Sequence, residues 1–151
     1  MLFNTESPTI TFHTVTGLTR GTVYKFKVVA ENAVLKGDPT ETIELLAAQA
    51  PGVTSAPIRQ TFDSKTSMLI SWSAPTDDGG SPLTLYYKVY KNDGQGAGYQ
   101  EIAGTSITQP NYEVTGLTPD TEYFFKIKTF NEVGESGLSN GAGFEAGSIP
   151  S

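Results

Sequence analysis

The sequence predicts an all-β chain, folded as an antiparallel sandwich and then repeated, and three observations carry that prediction. After a turn at residues 118–120, apolar and polar residues alternate. Tyr123, Phe125, Ile127 and Thr129 share one face of a strand, and Glu122, Phe124, Lys126 and Lys128 share the other, because successive strand side chains point to opposite sides. Second, residues 13–34 repeat residues 112–133 at an offset of 99, with 11 of 22 positions identical, among them Val15, Gly17, Leu18, Thr19, Tyr24, Phe26 and Asn32. Third, that offset is too long for a solenoid repeat and fits a whole sandwich domain of roughly 100 residues.

Taken in order, residues 1–7 are polar and read as a ragged start. Residues 9–15 alternate as a strand, with Val15 inward by its match to Val114. Residues 17–21 are a corner. Residues 22–31 read as a strand with Tyr24, Phe26, Val28 and Ala30 inward, 32–39 as a loop, and 40–47 as the last strand of a first unit, 1–50. The linker is 51–57, where Pro51 and Pro57 lack amide donors and stop a ladder. A linker this short predicts end-to-end neighbours with limited freedom.

A complete unit follows over 58–147. Its first strand is 58–63 and its second 66–73, with Met68, Ile70 and Trp72 on one face and Trp72, the single tryptophan, as core anchor. Residues 74–82 form a tight acidic loop in which Pro75 and Pro82 fix φ and Gly79 and Gly80 permit positive φ. Residues 83–91 are a strand with Leu85, Tyr87 and Val89 inward and Tyr86, Lys88 and Tyr90 outward. A Gly-rich turn over 92–98, a short strand over 99–103 and a polar stretch over 104–110 lead to three further strands ending near Ala146. Residues 148–151 read as the start of another linker.

Leu117-Thr-Pro-Asp-Thr-Glu-Tyr123, followed by Asn131-Glu-Val-Gly-Glu-Ser136, resembles the fibronectin type III domain, as do Trp72-Ser-Ala-Pro75, Asp78-Gly-Gly-Ser-Pro82 and Tyr87-Lys-Val-Tyr90. The resemblance covers about residues 53–148. It implies an immunoglobulin-like antiparallel β-sandwich, held by its core rather than by a disulfide, in a tandem array. The leading stretch resembles only the last three strands, E, F and G, of another such domain. Without strands A, B and C, the inward sides of Tyr24, Phe26 and Val28 stand in water. Each such side chain then forgoes about 1.5–3 kcal/mol, and strand edges stay open. The expectation is a segment of a longer chain, with strand addition from another chain as the alternative.

Composition excludes several function classes. Hydrophobic content of 37% and charged content of 17%, in alternating patterns, describe a globular chain. A net charge of −6 with no stretch rich in Lys and Arg argues against nucleic acid and against an anionic membrane surface. No apolar run approaches the ~20 residues of a spanning helix, and the first residues lack the regions of a signal peptide. With no cysteine, disulfides, thiolate catalysis and Cys-based zinc sites are out. No Asn-x-Ser/Thr sequon occurs. His13 is the single histidine, so a nucleophilic triad would have to use it on a strand of the incomplete unit. Asp77 and Asp78 read as turn residues whose carboxylates bond nearby amides; with Asp93 they match no EF-hand loop. No catalytic residue, metal or cofactor is expected.

Two candidate protein-binding sites remain. Tyr86, Tyr90 and Phe124 face outward on strands that are neighbours in this family's sheet, either as a partner patch or as cross-strand pairs. Lys36-Gly37-Asp38 lies in the loop where the family can carry an Arg-Gly-Asp integrin-binding tripeptide; Lys keeps the cation and loses the bidentate fork. The function expected is a non-catalytic spacer and protein-interaction module of a tandem array in a cell-surface or extracellular filament protein. The alternatives are an intracellular cytoskeletal or sarcomere-like scaffold, and an adhesion ligand through Lys36-Gly37-Asp38. The expected partners are other proteins, including neighbouring type III domains of the same chain or copies of itself, with no nucleic acid and no membrane insertion in this segment.

Overall fold

A computed structural model describes residues 9–60, 64–81, 85–102 and 107–147. The chain divides into two compact units, 1–47 and 48–151. The predicted start at 1–7, residues 61–63, 83–84 and 103 of three predicted strands, Pro82, and the further linker at 148–151 lie outside the described residues. All regular structure among the described residues is β.

The first unit contains β1 (Val23–Phe26) and β2 (Ile43–Leu46), paired antiparallel with Tyr24 opposite Leu45 and Phe26 opposite Ile43. The second unit contains β3 (Ile58–Arg59), β4 (Met68–Ser71), β5 (Tyr86–Asn92), β6 (Gln100–Glu101), β7 (Asn111–Val114), β8 (Thr121–Phe130) and β9 (Ala142–Ala146). These form two antiparallel sheets, ordered β3-β4-β7 and β6-β5-β8-β9, which make an immunoglobulin-like sandwich. The predicted faces meet in its core: Met68, Ile70 and Trp72 from one sheet against Tyr87, Val89, Phe125 and Ile127 from the other. Trp72 stands edge-on to Tyr87 at 5.4 Å and 66°, an arrangement that sets ring edge against ring face.

In the first unit, strands are shorter than the sequence predicts, and residues 9–15 form none. Pairing explains both differences. β8 runs ten residues because β9 bonds to Thr121–Phe125 while β5 bonds to Phe124–Phe130. β1 has β2 beside it, and it spans the positions that correspond to the β9-paired part of β8. Residues 9–15 correspond to the segment that includes β7, which is held by pairing with β4; among the described residues of the first unit no strand does this for them.

Local bonding nevertheless repeats at the offset of 99. The Thr19 amide donates to the Tyr24 hydroxyl oxygen at 2.9 Å, and Thr118 donates to Tyr123 at 3.0 Å. Each bond draws the tyrosine pKa below its ordinary value, the backbone donor being the first cause. Gly21 and Asp120 take the same left-handed conformation, at φ 79° and 56°, and donate to the carbonyls of Ala47 and Ala146. Asp is among the few non-Gly residues that visit this region readily, so two different residues fill one turn. The side-chain oxygen of Asn32 accepts from Val34 and Leu35, and that of Asn131 accepts from Val133 and Gly134.

Candidate functional site

The outer face of the four-stranded sheet collects the predicted aromatic residues. Tyr86 and Tyr90 on β5 and Phe124 on β8 point away from the core and are half-buried. Each already packs within the sheet. Tyr86 stacks on Phe130 at 5.3 Å and 23°. Phe124 lies across Gly143 of β9, where a Cβ would stand 2.8 Å from the ring; the ring covers the backbone that a glycine leaves bare. The Tyr90 hydroxyl donates to Glu101 at 3.4 Å.

Charges lace these rings together. Lys88 and Lys128 stand directly opposite in the β5–β8 register, an arrangement that destabilises a sheet when nothing lies between. Glu135 supplies the counter-charge, accepting from Lys128 at 2.6 Å and from Lys88 at 3.3 Å. The hydrogen bond from Lys128, then that from Lys88, holds the Glu135 carboxyl below its ordinary value, while the bond to Glu135 is the first cause raising both lysines. Lys88 also lies 3.5 Å from Glu101 and 5.6 Å from the Phe130 ring centre, and Lys126 lies 4.7 Å from that of Tyr99, within cation–π reach. The face therefore carries ordered rings and paired charges.

A second feature, not predicted from the sequence, is the seating of the boundary segment. The Gln49 amide donates to the Gly79 carbonyl at 2.9 Å, and the Gly52 amide to that of Asp77 at 2.8 Å. Asn131 Nδ2 donates to the Gln49 carbonyl at 2.9 Å and to that of Asp78 at 3.1 Å. Gly79 has φ 82°, and a Cβ there would drive into the Gln49 carbonyl oxygen. Asp77 and Asp78 accept from the amides of Gly79 and Gly80 at 2.8 and 2.7 Å, the turn role the sequence assigns them. One signal was legible: Asn131 matches Asn32 in the repeat. Its second use, holding Gln49 from 82 residues away, depends on tertiary approach.

The Lys36-Gly37-Asp38 loop sits in the first unit. The Gly37 amide donates to the Ala30 carbonyl at 2.8 Å, and Glu31 and Lys36 form an isolated bridge with their charges 4.0 Å apart. The lysine thus has a carboxylate neighbour of its own. Tyr86, Tyr90 and Phe124 come together on one face of the second unit; the tripeptide belongs to the first. Among the described residues no group of three or more acidic or His side chains gathers to hold a metal, and no helix is long and apolar enough to cross a membrane.

Comparison with known proteins identifies the architecture. The family model of the fibronectin type III domain matches residues 55–144. A Kelch domain-containing protein of Saccharolobus solfataricus is 31% identical over 84% of this chain and 17% of its own length. M-protein of striated muscle from Gallus gallus is 34% identical over 80% of this chain and 8% of its own length. The chain thus spans less than a fifth of either relative. A crystal structure of titin domains shares 25% identity at a TM-score of 0.69, over 87% of this chain and 44% of that one.

Proposed function

Because this chain belongs to the fibronectin type III family, we propose that it is a non-catalytic structural spacer and protein-interaction module in a filament protein built of repeated sandwiches. One observation carries the reading: the segment entering the complete sandwich is bonded to it. Gln49 and Gly52 are held by the loop at 77–79, and Asn131 ties that loop and Gln49 together. A spacer must fix the direction in which its chain enters each domain, and backbone hydrogen bonds to two loops do so at the site where a free linker would let the direction vary.

The outer sheet face is the contact surface in this reading. Tyr86, Tyr90 and Phe124 are already ordered by Phe130, Glu101 and Gly143, so a protein partner covering them meets a smaller entropic cost than with free rings. Neighbouring type III domains and copies of the chain are the partners it fits. The setting expected from the sequence is a cell-surface or extracellular filament. M-protein is a protein of striated muscle, which supports the cytoskeletal or sarcomere-like alternative, and the spacer mechanism is common to both settings. Adhesion through Lys36, Gly37 and Asp38 is the weaker reading, because Lys36 lies against Glu31.

Backbone relaxation by NMR tests the spacer. The amides of Gln49 and Gly52 should show order parameters near the rigid value of about 0.85, and Gly79→Ala should lower them; values below about 0.6 in the unmodified chain would overturn the reading.

A further inference from the structure

We propose that Asn140 is a self-modifying residue: the Gly141 amide nitrogen attacks its side chain, and Ser139 promotes the attack through the Asn140 carbonyl. The inference is independent of the spacer reading and concerns chemistry that the chain carries out on itself.

Asn140-Gly141 is the single Asn-Gly step among six asparagines. A following glycine has no Cβ to shield its nitrogen from the asparagine side chain. Asn140 and Gly141 are both exposed, and the Gly141 amide donates to none of the described residues. It stands one residue before the pairing of Ala142 with Phe125. A buried relay ends on the same peptide group. The Ile127 amide donates to Ser139 Oγ at 2.9 Å, and Ser139 Oγ donates to the Asn140 carbonyl at 2.9 Å. Ser139 is 2% exposed, and in such a chain of bonds each polarises the next. Drawing charge onto the Asn140 carbonyl oxygen makes the attached Gly141 N–H more acidic. Lys126 lays its stem against Gly141, with Cε 3.3 Å from where a Cβ would stand, and its positive charge favours loss of the same proton.

The reaction balances with water as its only co-reactant. Hydroxide takes the Gly141 proton, the nitrogen bonds to Asn140 Cγ, and the side-chain nitrogen leaves as ammonia with a proton from water. The product is a five-membered succinimide. Water then opens the ring at either carbonyl, giving aspartate or isoaspartate at position 140. Overall, one water is consumed and one ammonia released. In the first unit Thr40 carries the same relay, from the Val28 amide to the Glu41 carbonyl, at 3.0 and 3.1 Å. There Glu41-Thr42 stands in place of Asn140-Gly141. The aspartate product thus puts a carboxylate where the first unit already has one. The isoaspartate product adds a backbone atom between two anchors on β8, Ser139 on Ile127 and Ala142 on Phe125.

The test is mass spectrometry of the whole chain held folded at neutral pH and at one unit above. Cleavage after Lys128 leaves Asn131 and Asn140 in one peptide. Asn131 is the internal standard, its side chain held by Gln49, Asp78, Val133 and Gly134. Asn140 should deamidate at least about 30-fold faster than Asn131, the factor that two net hydrogen bonds are worth. The rate should rise with pH, and an isoaspartyl methyltransferase should label part of the product. Ser139→Ala should slow the conversion about fivefold, the factor for one such bond. Ser139→Thr, which keeps the hydroxyl as Thr40 does, should restore it. In guanidinium chloride all three chains should convert alike, because the relay needs the fold. Equal rates at Asn140 and Asn131 in the folded chain overturn the proposal, as does conversion of Asn140 only after unfolding. So does a Ser139→Ala chain that converts as fast as the natural one with β8 amides still protected. Should Ser139→Ala loosen β8, Ser139→Thr against Ser139→Val decides instead: faster conversion with the hydroxyl supports the relay, and equal rates overturn it.

Discussion

Val28 and Ile127 occupy the same place in two copies of one stretch of chain. Val28 accepts from the Thr40 amide through its carbonyl and donates to the Thr40 hydroxyl oxygen at 3.0 Å; Ile127 does the same with Ser139, the hydroxyl bond being 2.9 Å. Yet Val28 is mostly in water, and Ile127 is closed off entirely. The corner tyrosines and the Asn-capped loops repeat as well, while strand length and burial do not. Local hydrogen bonds follow from the residues of the segment itself. The core and the full length of a strand need the neighbouring strands, and a two-stranded hairpin in water is marginal by itself.

The sharpest way to break that contrast is to remove the cover of the covered copy. Trp72→Ala should cost about 3–5 kcal/mol, read as a lower urea midpoint with loss of amide protection in β4 and β8. Next, matched truncations compare the two copies directly. Ile127→Ala should cost about 2–5 kcal/mol, and Val28→Ala should stay within about 0.5 kcal/mol, both by chemical denaturation of the whole chain. Equal costs would mean that the two sites are equally covered. A smaller effect tests the shared corner: Tyr123→Phe removes the acceptor for the Thr118 amide and should cost about 1 kcal/mol, measured as a shift in thermal midpoint.

The smallest effect concerns charge on the complete unit. Glu135 sits between Lys88 and Lys128, with all three side chains partly in water, so Glu135→Gln should cost only about 0.2–1 kcal/mol. The carboxyl is held below its ordinary value of 4.5 in the fold. Its contribution is therefore full above that value and fades as the pH falls through the lower, folded one. Thermal midpoints of the two proteins should converge in acid and also in high salt, which screens exposed pairs.

Much of the fold was legible in the sequence because period-two alternation survives wherever a strand is covered. Met68, Ile70 and Trp72, Tyr87 and Val89, and Tyr123, Phe125 and Ile127 are buried as the alternation predicts. The same rule overextended β1 and drew a strand over residues 9–15, because alternation reports a capacity to pair and the pairing strand must also be there. The outward direction of Tyr86, Tyr90 and Phe124 was readable for the same reason. Their partners Phe130, Glu101 and Gly143 were not, since cross-strand register decides who meets whom. The hold of Asn131 on Gln49 was not legible, because residues so far apart in sequence meet only once both loops are in place.

Native-state amide exchange on the unmodified chain tests most directly the claim that one repeat is covered and the other is not. Tyr123 to Ile127 should exchange slowly, through global unfolding of the sandwich, while Tyr24 to Val28 should exchange rapidly through local opening. Comparable protection at the two sets of positions in a monomer would contradict the account, because the first unit would then be stable without the strands that its counterpart requires.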